Sequence, residues 1–159
     1  MERKLSLTQI DALKEAGTIG AGRAATALAD LLSKKVEITV PQVTLIPIEN
    51  ISNLLPTRDS IYFVIDMEIT GDISGRIFLL FSHNDARLLA GNLLGKPKDE
   101  IDLKDEMLQS ALKESANILC GSYIAALADM TNLNILISSP SLALDMVGAI
   151  LDFIFIQIS

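Results

Sequence analysis

The sequence predicts an α+β fold: an internally duplicated chain with an antiparallel sheet and two long pseudo-symmetric helices on one side. Three observations carry this. Two stretches have long-range helical apolar spacing, several β-branched runs are bracketed by turn residues, and residues 11–43 resemble residues 110–142 without a gap. A length of 159 residues, half of them apolar, suits one domain with a sizeable core.

The first long helix is expected from about Ser6 to Ser33. Ser6-Leu-Thr-Gln9 reads as a capping box, Ile10, Leu13, Ala24, Leu28 and Leu31 supply the apolar spacing, and Lys34-Lys35 suit its C-terminal dipole. Val36 to Ile48 then reads as a strand, bent or at an edge, because Pro41 and Pro47 lack a ladder donor. A short link over 49–60 leads to a hairpin of Ile61–Thr70 and Ile73–Phe81, turned by Gly71-Asp72. Helices follow over Asn84–Leu94 and Lys104–Met130, separated by Gly95-Lys-Pro-Lys. Leu133–Ser138 reads as a short strand and Ser139-Pro140-Ser141 as a break. Leu144, Val147, Leu151, Ile154 and Ile158 have helical spacing over the tail, Leu142–Ile158, although its Phe153–Ile158 end also has β propensity.

At an offset of 99, Ala12/Ala111, Lys14/Lys113, Glu15/Glu114, Gly22/Gly121, Asp30/Asp129 and Pro41/Pro140 coincide. Two amphipathic helices share composition, but that does not readily explain matching Glu, Gly and Pro in one register. The single domain, 1–159, is therefore read as two related halves, about 6–95 and 96–159, each with a long helix followed by a strand.

Composition removes several function classes. Net charge is −7, from 20 acidic and 13 basic residues, which argues against nucleic acid as partner. One cysteine, Cys120, excludes an internal disulfide and suits a reducing cytoplasm; it reads as a small buried hydrophobe. The charged N-terminus does not read as a signal peptide, and the apolar run Leu144–Ile158 is too short to span a bilayer and contains Asp145 and Asp152. The single histidine, His83, argues against a histidine metal site or a Ser-His-Asp triad and reads as a loop or helix-cap residue. The run Gly17-Thr-Ile-Gly20-Ala-Gly22 lies inside a helix and lacks the Gly-Lys-Ser/Thr ending of a phosphate loop.

At about 100° per residue, Ser110, Glu114, Asn117 and Gly121 fall within an arc of about 60° on the second long helix. Leu108, Leu112, Leu119, Ala126 and Met130 occupy the opposite, core-facing side. Asp11, Glu15, Thr18 and Gly22 form the equivalent stripe on the first helix. Such a stripe is ordinarily a solvated face. Gly121 speaks against that, because glycine inside a helix costs about 1 kcal/mol relative to alanine. Close approach of a partner or tight helix packing would each account for it.

The spacing Asp/Ser-x3-Glu-x2-Asn-x22-Pro resembles the signature of the CheC, CheX and FliY phosphatases, and Ser110, Glu114, Asn117 and Pro140 match it at every position. Asp11, Glu15, Thr18 and Pro41 keep the spacing but place threonine where the family has asparagine. The flanking words IGAGRAATALADLL and NILCGSYIAALADM also resemble CheC. The resemblance implies a phosphatase acting on the phosphoaspartate of a CheY-type receiver. Asn117 would orient the attacking water and Glu114 would pair with the receiver's lysine, while Ser110, Gly121 and Pro140 shape the site. It implies no cofactor of the chain's own, since the receiver supplies Mg²⁺, and no metal ligands. Asp11, Glu15, Thr18 and Pro41 become a degenerate second site.

The resemblance leaves a second reading open: a binding module that holds a receiver or the receptor deamidase CheD. A flagellar-switch component like FliY is a third reading and the least favoured, because such proteins carry a further C-terminal domain. CheC relatives also continue past the last helix, so the second half is expected to be truncated or incomplete at Ser159. An open sheet edge there would need covering, with a second copy as one candidate, and the oligomeric state stays open.

Overall fold

A computed structural model describes residues 4–40 and 42–158. Helix α1, Leu7–Leu32, begins at the expected capping box: the Gln9 amide donates to Ser6 Oγ at 3.2 Å, and the Ser6 amide donates to Gln9 Oε1 at 2.9 Å. Helix α3, Glu106–Thr131, begins at Asp105, whose carboxylate accepts from the Met107 amide at 2.9 Å. Both helices have 26 residues, and both end in left-handed caps, Ser33 and Asn132. Their starts, ends and caps all fall at the offset of the sequence resemblance (7/106, 32/131 and 33/132).

The strands are β1, Ile61–Gly71; β2, Gly75–Ser82; β3, Ile135–Ile137; and β4, Ser141–Met146. Among the described residues they form one antiparallel sheet with β1 at its centre. On one side β2 pairs with β1 from Tyr62↔Ser82 to Ile69↔Gly75. On the other side β3 and β4 follow one another along β1, through Ile69↔Ile137 and Phe63↔Leu144. Between them Ser138 bridges the break: its amide donates to the Glu68 carbonyl at 2.9 Å, and its hydroxyl accepts from the Glu68 amide at 2.8 Å. The predicted break thus keeps bonding to β1 without a ladder donor from Pro140.

Alternation along β1 divides its side chains between two faces. Phe63, Ile65 and Met67 pack with Ala86 and Ala90 of α2 (His83–Leu94) and with Leu108, Leu112 and Ala116 of α3. Val64, on the other face, packs with Ile150 and Ile154 of α4 (Val147–Ile158) and with Ile48 and Ile51 of a 3₁₀ turn, Ile48–Asn53. Helix α1 lies chiefly against α3. There a Cβ built on Gly20 would stand 2.7 Å from Tyr123 Cα, so only glycine permits this approach of the two helices.

Several expectations need correction. Residues 35–40 and 42–47 join no ladder, although a strand was expected over Val36–Ile48. Both sides of β1 are already occupied by β2 and by β3 with β4, and Val40 instead lies against α1, 3.4 Å from a Cβ built on Gly17. The tail is not one helix, since 141–146 forms β4; the hydrogen-bonding edge of β1 overrides the helical spacing there. Leu31 and Met130, expected on apolar faces, are exposed; each lies in the last turn of its helix. His83 is the first residue of α2, with Ser82 as the cap and its ring against Phe63 at 6.0 Å. No described helix is long and apolar enough to cross a membrane.

A polar pair missing from the sequence reading sits on the α4 face. Asp66, only 9% exposed, holds Arg76 through a two-pronged ion pair, Nε to Oδ1 at 3.0 Å and Nη2 to Oδ2. The hydrogen bond to Asp66 raises the Arg76 pKa above its usual value. Alternating hydrophobicity in IYFVIDMEI gave no sign that this acid would be buried, because its partner lies on the next strand.

Candidate active site

Helix α3 is held against the sheet by Leu108, Leu112, Ala116 and Cys120, which turns its opposite face outward. Ser110, Glu114 and Asn117 lie on that face, and all three are exposed. Gly121 is half-buried; a Cβ built there would meet only Ile137 Cδ1, at 4.0 Å. Tight helix packing therefore does not explain Gly121. That role belongs to Gly20, the one glycine of the run Gly17–Gly22 that requires it: a Cβ on Gly17 would make only ordinary contacts and one on Gly22 none. Pro140 is half-buried between β3 and β4, the two strands that lie beside α3.

The side chains of Ser110, Glu114 and Asn117 make no hydrogen bond or ion pair with the described residues. Their helix is packed against the sheet and α1 while the groups themselves remain available. A carboxamide, a carboxylate and a hydroxyl therefore stand on successive turns, about 10 Å from end to end at 1.5 Å per residue. The carboxamide can donate to and accept from one water while staying neutral.

On α1, Asp11, Glu15, Thr18 and Gly22 are likewise exposed, and nothing lies within 4 Å of a Cβ built on Gly22. Pro41 lies outside the described residues. Thr18 differs from Asn117 in more than reach. Its hydroxyl donates to the Lys14 carbonyl of its own helix at 3.0 Å, so its only donor is committed to the backbone. The two helices are tied by Arg23 and Asp129 at 2.8 Å, an exposed pair that contributes little stability.

Cys120, one turn beyond Asn117, faces inward; burial pushes its thiol up to about 11. It is a neutral core group at ordinary pH, as its apolar surroundings suggest. No group of three or more His, Cys, Asp or Glu arranged to hold a metal occurs among the described residues.

An apolar groove adjoins the α3 stripe. Its volume is about 460 Å³, and Leu31, Leu93, Leu94, Met107, Ser110 and Glu114 line it. The sequence reading missed its apolar members. Leu31, at the end of α1, and Met107, at the start of α3, were separate helix-end positions until the helices packed.

Comparison with known proteins gives the family. The family described as chemotaxis phosphatase CheX matches residues 63–151, and the CheC-like family matches residues 9–45. The CheY-P phosphatase CheC of Bacillus subtilis is 39% identical over 145 residues, covering 90% of this chain and 69% of that protein. The flagellar motor switch phosphatase FliY of the same organism is 35% identical over 141 residues, which cover 88% of this chain but only 36% of FliY. The crystal structure of Thermotoga maritima FliY superposes with a TM-score of 0.77 at 26% identity, covering 90% of this chain and 71% of that one. With a stripe of matching spacing exposed on α3, the same fold, and a CheC relative matched over most of its length, the chain belongs to the CheC-type chemotaxis phosphatases.

Proposed function

We propose that this chain hydrolyses the aspartyl phosphate of a CheY-type receiver, with Asn117 orienting the attacking water and Glu114 pairing with the receiver's active-site lysine. The observation that carries the reading is the pair Glu114 and Asn117, exposed on one face of a packed helix and free of protein partners among the described residues. Phosphoryl transfer asks chiefly for positioning and charge stabilisation, and a neutral amide that orders one water supplies the first. The family supports the substrate class: the relative CheC is named a CheY-P phosphatase.

In this reading the Mg²⁺ and the phosphoaspartate belong to the receiver, and the working compartment is the cytoplasm. Ser110, Gly121 and Pro140 shape the surface on which the receiver sits. The α1 stripe is a degenerate second site, because Thr18 has its hydroxyl on the Lys14 carbonyl where Asn117 presents a free amide.

The test is phosphate release from a phosphorylated CheY-type receiver with Mg²⁺, for wild type, Asn117→Ala and Glu114→Ala. Loss of a group that stabilises the transition state costs about 10²–10³-fold, so both variants should fall towards the receiver's own decay rate. A wild type that leaves that decay unchanged would refute catalysis. The alternative of a module that holds a receiver or CheD would then take its place.

A further inference from the structure

We infer that the groove of Leu31, Leu93, Leu94 and Met107 beside Glu114 is the docking site for the receiver substrate, and that it takes an apolar side chain flanked by lysine or arginine. The inference rests on the proposed receiver substrate and adds where that substrate is gripped. The first support is continuity: Ser110 and Glu114 line the groove, so a protein engaged at Glu114 and Asn117 also covers it.

Area supplies the second support. Three side chains along about 10 Å of helix are far less than the roughly 800 Å² that each partner commonly buries in a specific interface. Recognition must extend past the stripe, and the groove is its apolar continuation. Leu31 and Met107 are 53% and 59% exposed. Methionine and other large apolar groups suit the core of such a patch.

Charge supplies the third. Glu106 and Glu114 stand on the rim, both exposed and with no ion pair among the described residues. An apolar floor with an acidic rim selects a hydrophobic group with cationic neighbours.

Geometry also distinguishes the two stripes. The start of α1 and the end of α3 form a smaller groove of about 290 Å³, lined by Leu5, Leu13, Leu127 and Met130 but by none of Asp11, Glu15 and Thr18. Leu31 and Met130 are equivalent at the repeat offset. The smaller groove has no wall corresponding to Leu93 and Leu94 of α2. Of the two grooves, only the larger one takes in residues of its stripe, Ser110 and Glu114.

Binding and turnover should be measured separately. Binding uses a CheY-type receiver carrying beryllofluoride and Mg²⁺ in place of phosphate; turnover uses the phosphorylated receiver. Met107→Asp should fold normally, since the position is exposed and an acid in the first turn suits the helix dipole. It should weaken Kd and raise KM by about tenfold or more, the effect of 1.4 kcal/mol, with kcat retained. Leu93→Asp should act in the same direction, and Ile156→Asp, on the opposite face, should change neither constant. Unchanged binding in Met107→Asp overturns the docking site, as does a loss confined to kcat. A wild type that binds the receiver yet releases no phosphate refutes the catalytic reading alone. In that case weakened binding by Met107→Asp still supports the groove.

Discussion

At the scale of single residues, the two stripes differ in what their polar groups have left to offer. Asn117 keeps donor and acceptor free, whereas Thr18 donates to Lys14. Placing Thr18→Asn in an Asn117→Ala background isolates the first stripe. Phosphate release should rise above that of Asn117→Ala alone, with a high KM because the groove at the start of α1 takes in none of that stripe's residues. No rise would mean that more than this one side chain disables the site. Cys120 sets a different expectation. Its folded pKa, about 11, lies above the ordinary 9.0, so the folded state retains the proton more firmly. The resulting stability is complete below pH 9 and is lost as pH rises towards 11. Tyr123, also raised by burial, acts in the same direction. Denaturant midpoints followed from pH 8 to 11 should fall less steeply in Cys120→Ala than in wild type.

At the scale of elements, the α1–α3 contact depends on one glycine. In Gly20→Ala the new methyl would meet Tyr123 backbone at 2.7 Å, which a side-chain rotation cannot relieve. Overpacking of this kind costs about 1–3 kcal/mol, against a gain of about 1 kcal/mol in helix propensity. Urea denaturation should show net destabilisation. Gly22→Ala, two residues on and facing open space, should instead stabilise by up to about 1 kcal/mol. The opposite signs follow from which face of α1 each residue occupies. The hairpin has a similar anchor: Asp72 accepts from the Asn134 amide at 2.7 Å and returns its own amide to the Asn134 carbonyl at 2.9 Å, tying the β1–β2 turn to the start of β3.

For the whole molecule, the sheet separates a helical layer that presents the site from an α4 face that contains Asp66 and Arg76. Removing the acid leaves a poorly solvated guanidinium. Breaking a fully buried pair costs about 3–5 kcal/mol. Arg76 keeps some contact with water, so Asp66→Ala should lower global stability by about 2–3 kcal/mol. Double replacement with apolar residues should recover part of the loss. Equal stability of wild type and Asp66→Ala in urea would show that the pair is already solvated.

Much of this architecture is local enough to be written in neighbouring residues. The Ser6–Gln9 box starts α1, Gly71-Asp72 turns the hairpin, and Ser110, Glu114 and Asn117 share a stripe because helical periodicity alone puts them there. Long-range packing decided the rest. Residues 141–146 became a strand because β1 offered an edge, Asp66 became buried because Arg76 came within reach on β2, and Gly20 rather than Gly121 took the helix contact. The groove is the extreme case. Leu31, Leu93 and Met107 lie far apart in the chain, and an apolar surface shared by three helices has no periodicity in any one of them.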